Sequence, residues 1–180
     1  MRRFVNCILG VGAMTVLLAC TVHAASGQNA AGNNAWAALE FLVGEWSGEG
    51  SGDPGQGAGG FTFKWDLDKK VLLRTNFADY PAAKERPAFS HRDLMVIYAD
   101  SASGGLRAIY FDNEGHVINY AVRTSQDPYL IEFTSDPTPK SPGYRLSYGK
   151  TGDAAVSIKF EIAPPGQAFA TYIEARAHRK

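Results

Sequence analysis

The sequence predicts an all-β protein, a single antiparallel up-and-down β-barrel of about ten strands with a short N-terminal helix. Three observations support this prediction. Short apolar segments recur at near-regular spacing, Gly, Pro, Asn and Asp residues separate them, and no helix long enough for a parallel crossover lies between them. The length of 180 residues suits one domain.

The first 24 residues predict a signal peptide. Two arginines follow Met1, residues 8–19 are apolar, and residues 22–24 offer a small-residue cleavage site. In a competing interpretation, residues 17–20 resemble a bacterial lipobox, which would leave a lipidated Cys20 as the new N-terminus. We therefore expect a periplasmic or secreted protein, with an outer-membrane lipoprotein as the alternative.

Charge and cysteine content exclude several classes of protein. The 18 Lys and Arg residues balance the 18 Asp and Glu residues, and the sequence contains no basic run long enough to follow a phosphate backbone. Nucleic acid is therefore not an expected partner. The apolar run of the leader is shorter than the roughly 20 residues of a membrane-spanning helix, and no later run is longer. Both cysteines, Cys7 and Cys20, lie in the leader, which excludes thiol catalysis and a disulfide in the mature domain.

Four segments precede or interrupt the strands. Residues 25–33 are Ala, Ser, Gly, Asn and Gln and predict a flexible spacer, and residues 34–180 form the barrel domain. Asn34 is the expected N-cap of a short helix that is apolar on one face and packs on one end of the barrel. Residues 51–60 are rich in glycine, and residues 79–90 form the longest connection, so we expect these two segments to gate the barrel.

The predicted strands follow the alternation of apolar and polar residues. The first begins at Glu45, directly after a helix stop at Gly44. The others span residues 61–66, 71–78, 93–99, 106–111, 116–123, 129–134, 144–148, 156–162 and 169–177.

The segment that opens the first strand carries a family resemblance. Gly44, Glu45 and Trp46 form the Gly-x-Trp that opens lipocalins and their calycin relatives, and residues 39–50 resemble the opening of nitrobindin-type and uncharacterised exported lipocalin-like domains of bacteria. Residues 110–117 resemble a hairpin of that exported group. The resemblance implies a barrel whose closed floor holds Trp46 beneath an arginine of the last strand, for which Arg176 is the candidate.

The same resemblance bears on a cofactor. Nitrobindin-type domains that bind haem use a histidine near the C-terminus, and the only histidine in that region here, His178, does not match it. We expect no cofactor. Haem bound through His116 or His91 remains the alternative, because a neutral imidazole that faces the lumen can bind iron.

Several strands contain one arginine among apolar neighbours. These are Arg74, Arg107, Arg123 and Arg145. Strand parity decides whether each faces the lumen or solvent, and two or three that converge inside would form a clamp for a carboxylate or phosphate. Tyrosines are also numerous and either line a pocket or pack across strands: Tyr98, Tyr110, Tyr120, Tyr144, Tyr148 and Tyr172.

One polar cluster has two interpretations. Asp112, Glu114 and His116 have the residue types of a metal or acid–base site, but their spacing and Gly115 are typical of a tight hairpin turn. The sequence contains neither Gly-x-Ser-x-Gly nor His-Glu-x-x-His, so we do not expect an enzyme.

These observations lead to one preferred function. We expect an exported binding protein that holds a small hydrophobic or amphipathic molecule, such as a lipid or fatty acid, in the barrel lumen. The candidate ligand-binding residues are Arg74, Arg107, Arg123, Tyr110, Tyr120, His116 and His91. The alternatives are a barrel that binds haem or nitric oxide, and a cell-envelope protein with a structural or interaction role and no ligand.

Overall fold

The computed structural model describes residues 35–49, 58–84, 87–124, 127–136 and 138–180. Residues 35–39 form one α-helical turn that continues as a 3₁₀ helix, Glu40–Leu42. Ten strands follow: β1 Gly44–Glu49, β2 Ala58–Asp66, β3 Val71–Tyr80, β4 Phe89–Ala99, β5 Leu106–Asp112, β6 Val117–Thr124, β7 Leu130–Ser135, β8 Gly143–Gly152, β9 Ala155–Ala163 and β10 Ala170–Arg179. Each strand pairs antiparallel with its neighbours in sequence, and β10 pairs with β1 to close the barrel. The predicted fold class is therefore confirmed.

The strands β3 and β4 are longer than predicted. Asp79 pairs with Ser90 and Tyr80 with Phe89, so the predicted connection 79–90 is reduced to residues 81–88. The rings of Tyr80 and Phe89 stack with centroids 4.4 Å apart, which extends the hairpin beyond its apolar segment. The prediction of a long gate at this position is wrong in its extent.

The core occupies the half of the lumen nearest the helix, called the floor half below. Inward positions alternate with outward ones along each strand, as a closed sheet requires. The buried inward side chains form one cluster with Leu39 and Leu42 of the helical segment, and its largest members are Trp46, Phe63, Tyr120, Phe133 and Tyr148. The helix thus closes one end of the barrel, as the sequence predicts.

An arginine crosses the ring of Trp46, but it is Arg179 and not Arg176. The Cζ atom of Arg179 lies 4.4 Å from the indole centroid, and Arg179 Nη2 donates a hydrogen bond of 2.8 Å to the carbonyl oxygen of Phe41. Trp46 pairs with Arg179 in the β1–β10 register, whereas Arg176 has the opposite parity and is exposed. The identity predicted for this arginine was wrong: Arg176 and Arg179 are three positions apart on β10, and an odd spacing places two residues on opposite faces of a strand.

The residue Gly44 is required where the helix meets β1. Its φ angle is +129°, a conformation that favours glycine, and a Cβ atom at this position would collide with Arg179 Nη1. The Gly-x-Trp segment thus provides the space in which the arginine lies.

Several predictions fall outside the described residues. They concern the leader 1–24 with Cys20, the spacer 25–33, the N-cap Asn34 and the part of the glycine-rich segment at residues 51–57. Among the residues that the structure does describe, no helix has the length and apolar character needed to cross a membrane.

Candidate functional site

Only one of the four strand arginines faces the lumen. Arg74 lies on the inward face of β3 and is 6% exposed. Arg107, Arg123 and Arg145 have the outward parity of their strands: Arg107 binds Asp136, with Arg107 Nη1 2.9 Å from Asp136 Oδ1, and Arg145 Nε donates to Glu161 Oε2 at 2.6 Å. The predicted interior clamp of several arginines is therefore not formed.

Asp93 organises a polar network around Arg74. The Arg74 guanidinium pairs with Asp93 Oδ1, and Asn76 Nδ2 donates to Asp93 Oδ2 at 2.8 Å. Burial raises the pKa of this carboxyl, but the charge of Arg74 and the hydrogen bonds from His91 and Asn76 together hold the pKa below its usual range. Asp93 is therefore ionised at neutral pH and balances the buried guanidinium.

His91 connects this network to the open end of the barrel, called the mouth below. Its Nε2 atom lies 3.2 Å from Asp93 Oδ2, and its Nδ1 atom lies 2.9 Å from Glu114 Oε1. The hydrogen bond with Asp93 raises the pKa of His91 to about 9, and Glu114 adds to this effect while partial burial opposes it. The imidazole is thus protonated at neutral pH and donates from both nitrogens.

Tyr110 of β5 also faces inward, beside His91. Its hydroxyl lies 3.2 Å from His91 Nε2 and donates to Asp112 Oδ2, also at 3.2 Å. Burial raises the pKa of Tyr110, and the charges of Asp93 and Asp112 raise it further. The hydroxyl keeps its proton and completes a polar wall formed by β3, β4 and β5.

The cluster of Asp112, Glu114 and His116 is a hairpin turn. Asp112 Oδ1 accepts the backbone N–H groups of Glu114 at 3.0 Å and His116 at 2.9 Å, and Gly115 has a φ angle of +94°. His116 lies before β6 rather than within it, and its side chain is 58% exposed and binds Asp112. His116 therefore does not face the lumen. No group of His, Cys, Asp and Glu suited to a metal ion occurs in the described part of the chain.

The histidines do not fit haem. Both ring nitrogens of His91 are engaged by carboxylates, and its raised pKa keeps the ring protonated, whereas an iron ligand must be a neutral imidazole. His116 is exposed at the turn. Neither residue offers a free nitrogen that faces an enclosed pocket.

Two buried polar atoms at the base of the network have no partner. In the described residues, the buried side-chain atoms without a hydrogen bond are Trp65 Nε1, Arg74 Nε and the hydroxyl of Tyr148. The Arg74 Cζ atom lies 6.0 Å from the Tyr148 ring centroid, and the neighbouring guanidinium opposes the effect of burial on the pKa of the Tyr148 hydroxyl. Burial raises the pKa of Tyr148 to about 12, so its hydroxyl keeps its proton. Arg74 Nε and this hydroxyl are therefore two potential donors that are buried in the core. Sequence analysis had not placed Tyr148 among the ligand candidates, although its alternation with Leu146 on β8 indicated an inward position.

Tyr120 also faces inward, but its surroundings differ. Its ring is 1% exposed and packs edge-on against Tyr110 and Phe133, with centroids 6.4 Å away in each case. Burial raises its pKa. Tyr120 therefore forms part of the core beneath the polar wall.

The opposite wall of the mouth half is apolar. Ile118, Tyr144 and Phe160 face inward from β6, β8 and β9 but are only half-buried, and Tyr144 stacks on Phe160 with centroids 6.0 Å apart. Side chains that face inward and remain half-buried indicate that this part of the lumen is open to solvent. The mouth half thus has one polar and one apolar wall.

The two outward arginines that were candidate ligands lie in a groove on the outside of the barrel. This groove has a volume of about 590 Å³. A second groove, of about 420 Å³, is lined by residues from both faces of the sheet, among them Trp46 and Phe61 from the inner face and Thr75 and Arg92 from the outer face. The first is walled by Arg107 and Arg123 on one side and by residues 164–167 and Phe169 on the other. Its base consists of small side chains: Ala121, Thr134, Gly143 and Ala163.

Comparisons with known proteins support the fold and provide no activity. No protein-family model and no curated protein matches the chain. Among solved structures, the chain is similar to Rv2717c from M. tuberculosis, with a TM-score of 0.53 and 18% sequence identity over 81% of this chain and 97% of that one. At this identity the likeness establishes a shared barrel fold and nothing about the ligand.

Proposed function

We propose that this protein is an exported carrier that holds a small amphipathic molecule, such as a lipid or fatty acid, in the mouth half of a lipocalin-like barrel. The apolar part of the ligand would lie against the wall of Ile118, Tyr144 and Phe160. Its polar end would reach down to Arg74 and Tyr148, which belong to the buried core beneath the mouth half. The fold is compatible with ligand binding, and the predicted leader supports export. The floor half of the lumen is filled by side chains, so the proposed site is confined to the mouth half.

The observation that carries the proposal is the pair of unpartnered donors, Arg74 Nε and the Tyr148 hydroxyl. A buried polar group without a hydrogen bond costs about 1–3 kcal/mol. An acceptor oxygen of a carboxylate, ester or hydroxyl would satisfy both donors at once. Asp93 already neutralises Arg74, so an acceptor can be held there without a large excess of positive charge.

The proposal is tested on the protein isolated after expression of the full chain. Native mass spectrometry, followed by organic extraction, identifies any bound molecule, and displacement of a fluorescent fatty acid measures the affinity. We expect Tyr148→Phe to weaken binding about tenfold, the effect of one hydrogen bond to a charged or strongly polar acceptor. The matched control is Tyr129→Phe, which makes the same change on a ring that is 54% exposed.

Two results would contradict this assignment. A protein that carries no molecule and takes up no fluorescent fatty acid would favour the structural or interaction role. A ligand whose affinity falls in Arg123→Ala and is unchanged in Tyr148→Phe would instead occupy the outer groove of about 590 Å³.

A further inference from the structure

Two carboxylates lie directly opposite each other on the inner face of the polar wall. Asp93 pairs with Asp112 in the β4–β5 register, and their side chains are only 3% and 4% exposed. Like charges at opposite positions of an antiparallel pair destabilise a sheet unless neighbouring groups balance them. The charges around this pair therefore determine which kind of polar group a ligand can bring to it.

The two cations of the polar wall already have carboxylate partners. The Arg74 guanidinium is paired with Asp93 Oδ1. His91 lies between Asp93 Oδ2, at 3.2 Å, and Glu114 Oε1, at 2.9 Å, and the hydrogen bond with Asp93 raises its pKa to about 9. Both positive charges are thus balanced before a ligand arrives.

The network as a whole has no excess of positive charge. Asp112 Oδ2 accepts the Tyr110 hydroxyl and lies 2.8 Å from His116 Nδ1. Burial opposes the ionisation of Asp112, but hydrogen bonds from His116 and Glu114 hold its pKa below the usual range. The network contains three carboxylates and three basic side chains: Asp93, Asp112, Glu114, Arg74, His91 and His116. Even with a positive charge on His116, the cations only equal the carboxylates in number.

The unpartnered groups at the base of the wall are donors. Arg74 Nε and the Tyr148 hydroxyl are buried, and no hydrogen bond joins either atom to another group in the part of the chain that the structure describes. A ligand group that reaches them must therefore be an acceptor. An ionised acceptor would also need a counter-charge, because burying an unpaired charge is far more unfavourable than burying a hydrogen-bonded neutral group.

We infer that the lumen selects a ligand whose polar end is uncharged, the oxygen of an ester, ketone or alcohol, over the carboxylate of a fatty acid. The inference rests on the proposed function and narrows its ligand class. An uncharged oxygen accepts hydrogen bonds from both donors and leaves every existing charge pair intact. A carboxylate would compete with Asp93 for Arg74, or would lie unpaired close to Asp93 and Asp112.

Competition between matched ligands tests this inference. The protein, isolated after expression of the full chain, is extracted with organic solvent, refolded and loaded with N-phenyl-1-naphthylamine, an uncharged fluorescent probe. Decan-1-ol, methyl decanoate and decanoic acid then compete with the probe at neutral pH, and because their chains match, they differ mainly in the polar end. We expect the alcohol and the ester to displace the probe at concentrations about tenfold lower than the acid.

Two tyrosine variants show where the competition takes place. Decan-1-ol should bind Tyr148→Phe about tenfold more weakly than wild type, because the variant lacks one of the two donors. The matched control is Tyr129→Phe, which makes the same change on an exposed ring and should leave the affinity unaltered.

Acidification separates the two forms of the acid. An alkyl carboxyl group has a pKa close to the value of about 4.3 of a glutamate side chain, so its uncharged fraction rises about tenfold for each pH unit down towards that value. The affinity for decanoic acid should therefore rise about tenfold between about pH 7 and about pH 6, while that for decan-1-ol stays constant. His91 keeps its proton and Asp93 stays ionised in this range. The rise should persist in His116→Gln, which removes the exposed imidazole beside Asp112.

The outcomes separate this inference from the proposed function. Decanoic acid that displaces the probe as well as decan-1-ol does at neutral pH would overturn the inference and leave the carrier function standing. The same holds for an affinity for the acid that does not rise on acidification, or that rises only while His116 is present. A preference for the acid that is lost in Arg123→Ala would place binding in the outer groove and overturn both. A protein that binds neither the probe nor any of the three compounds would also overturn both.

Discussion

Arg179 lies over the indole of Trp46 and, from the last strand, holds the chain segment that enters the first. Its Nη1 and Nη2 atoms donate to the carbonyl oxygens of Val43 and Phe41, at 2.5 and 2.8 Å, while Trp46 Nε1 donates to Leu42 at 2.8 Å. Three consecutive carbonyl groups at the end of the helical segment are thereby satisfied by two side chains that are also in contact with each other.

Replacing Arg179 should loosen this closure. We expect Arg179→Ala to lower the free energy of unfolding by about 2 kcal/mol, because it removes two hydrogen bonds from a charged donor and a cation–π contact. Urea denaturation followed by tryptophan fluorescence measures the change. Arg176→Ala, on the exposed face of the same strand, should change stability by less than about 0.5 kcal/mol. Equal losses in the two variants would show that the contact with Trp46 has no special role.

Removing the carboxylate at the centre of the polar wall should be more severe. Asp93→Asn leaves the buried charge of Arg74 without its partner, and we expect a loss of about 3–5 kcal/mol. The control is Asp79→Asn, which makes the same change at an exposed ion pair with Arg92 and should lower the stability far less, because solvent screens this pair. Thermal unfolding monitored by circular dichroism compares the two. A small loss of stability in Asp93→Asn would mean that water reaches the Arg74 guanidinium and solvates its charge.

The hydroxyl of Tyr148 should destabilise the ligand-free protein. It is buried without a partner, so Tyr148→Phe removes an unsatisfied group and should raise the free energy of unfolding by about 1 kcal/mol. Denaturation must be measured after organic extraction and refolding, so that no bound molecule interferes. A marked destabilisation would reveal a hydrogen bond to this hydroxyl and would remove the observation on which the proposed ligand contact rests.

Stability should fall between neutral and alkaline pH because of His91. Its pKa in the folded protein is about 9, above the value of about 6.5 that an unfolded chain gives. The folded state therefore binds the proton more tightly, and this contribution is fully present below pH about 6.5 and is lost as the pH rises through about 9. The difference in stability between wild type and His91→Gln should shrink across this range. A difference that does not depend on pH would contradict protonation of His91.

The strands could be predicted from the sequence because their apolar residues alternate clearly or are bounded by turn residues. Phe61, Phe63 and Trp65 alternate with polar residues and lie inside the barrel as this pattern indicates. On β3 the apolar residues occupy both parities, since Leu72 is in the core and Leu73 is on the outer face. The face of β3 that carries Arg74 therefore could not be predicted from the sequence of β3 alone. It follows only from the pairing of β3 with its neighbouring strands.

The site residues were harder to predict because each depends on register. His116 was expected to begin a strand, and the start of β6 one residue later places it in the turn instead. The inward residues on either side of Arg176 are small, Ala175 and Ala177, and they give no strong apolar contrast to indicate parity. Asp93 and Tyr148 were identified as site residues only through their contacts, since neither forms part of a recognisable motif.

The pairing of β1 with β10, called the seam below, has a consequence for how the chain folds. Every other pairing joins strands that follow each other in sequence, whereas the bond from Arg179 to Val43 spans 136 residues. Closing so large a loop costs conformational entropy before any contact across it is gained, so the local hairpins are expected to assemble first and the seam last. Contacts that form after the transition state govern the rate of unfolding, which makes the Trp46–Arg179 pair a determinant of how long the closed barrel persists.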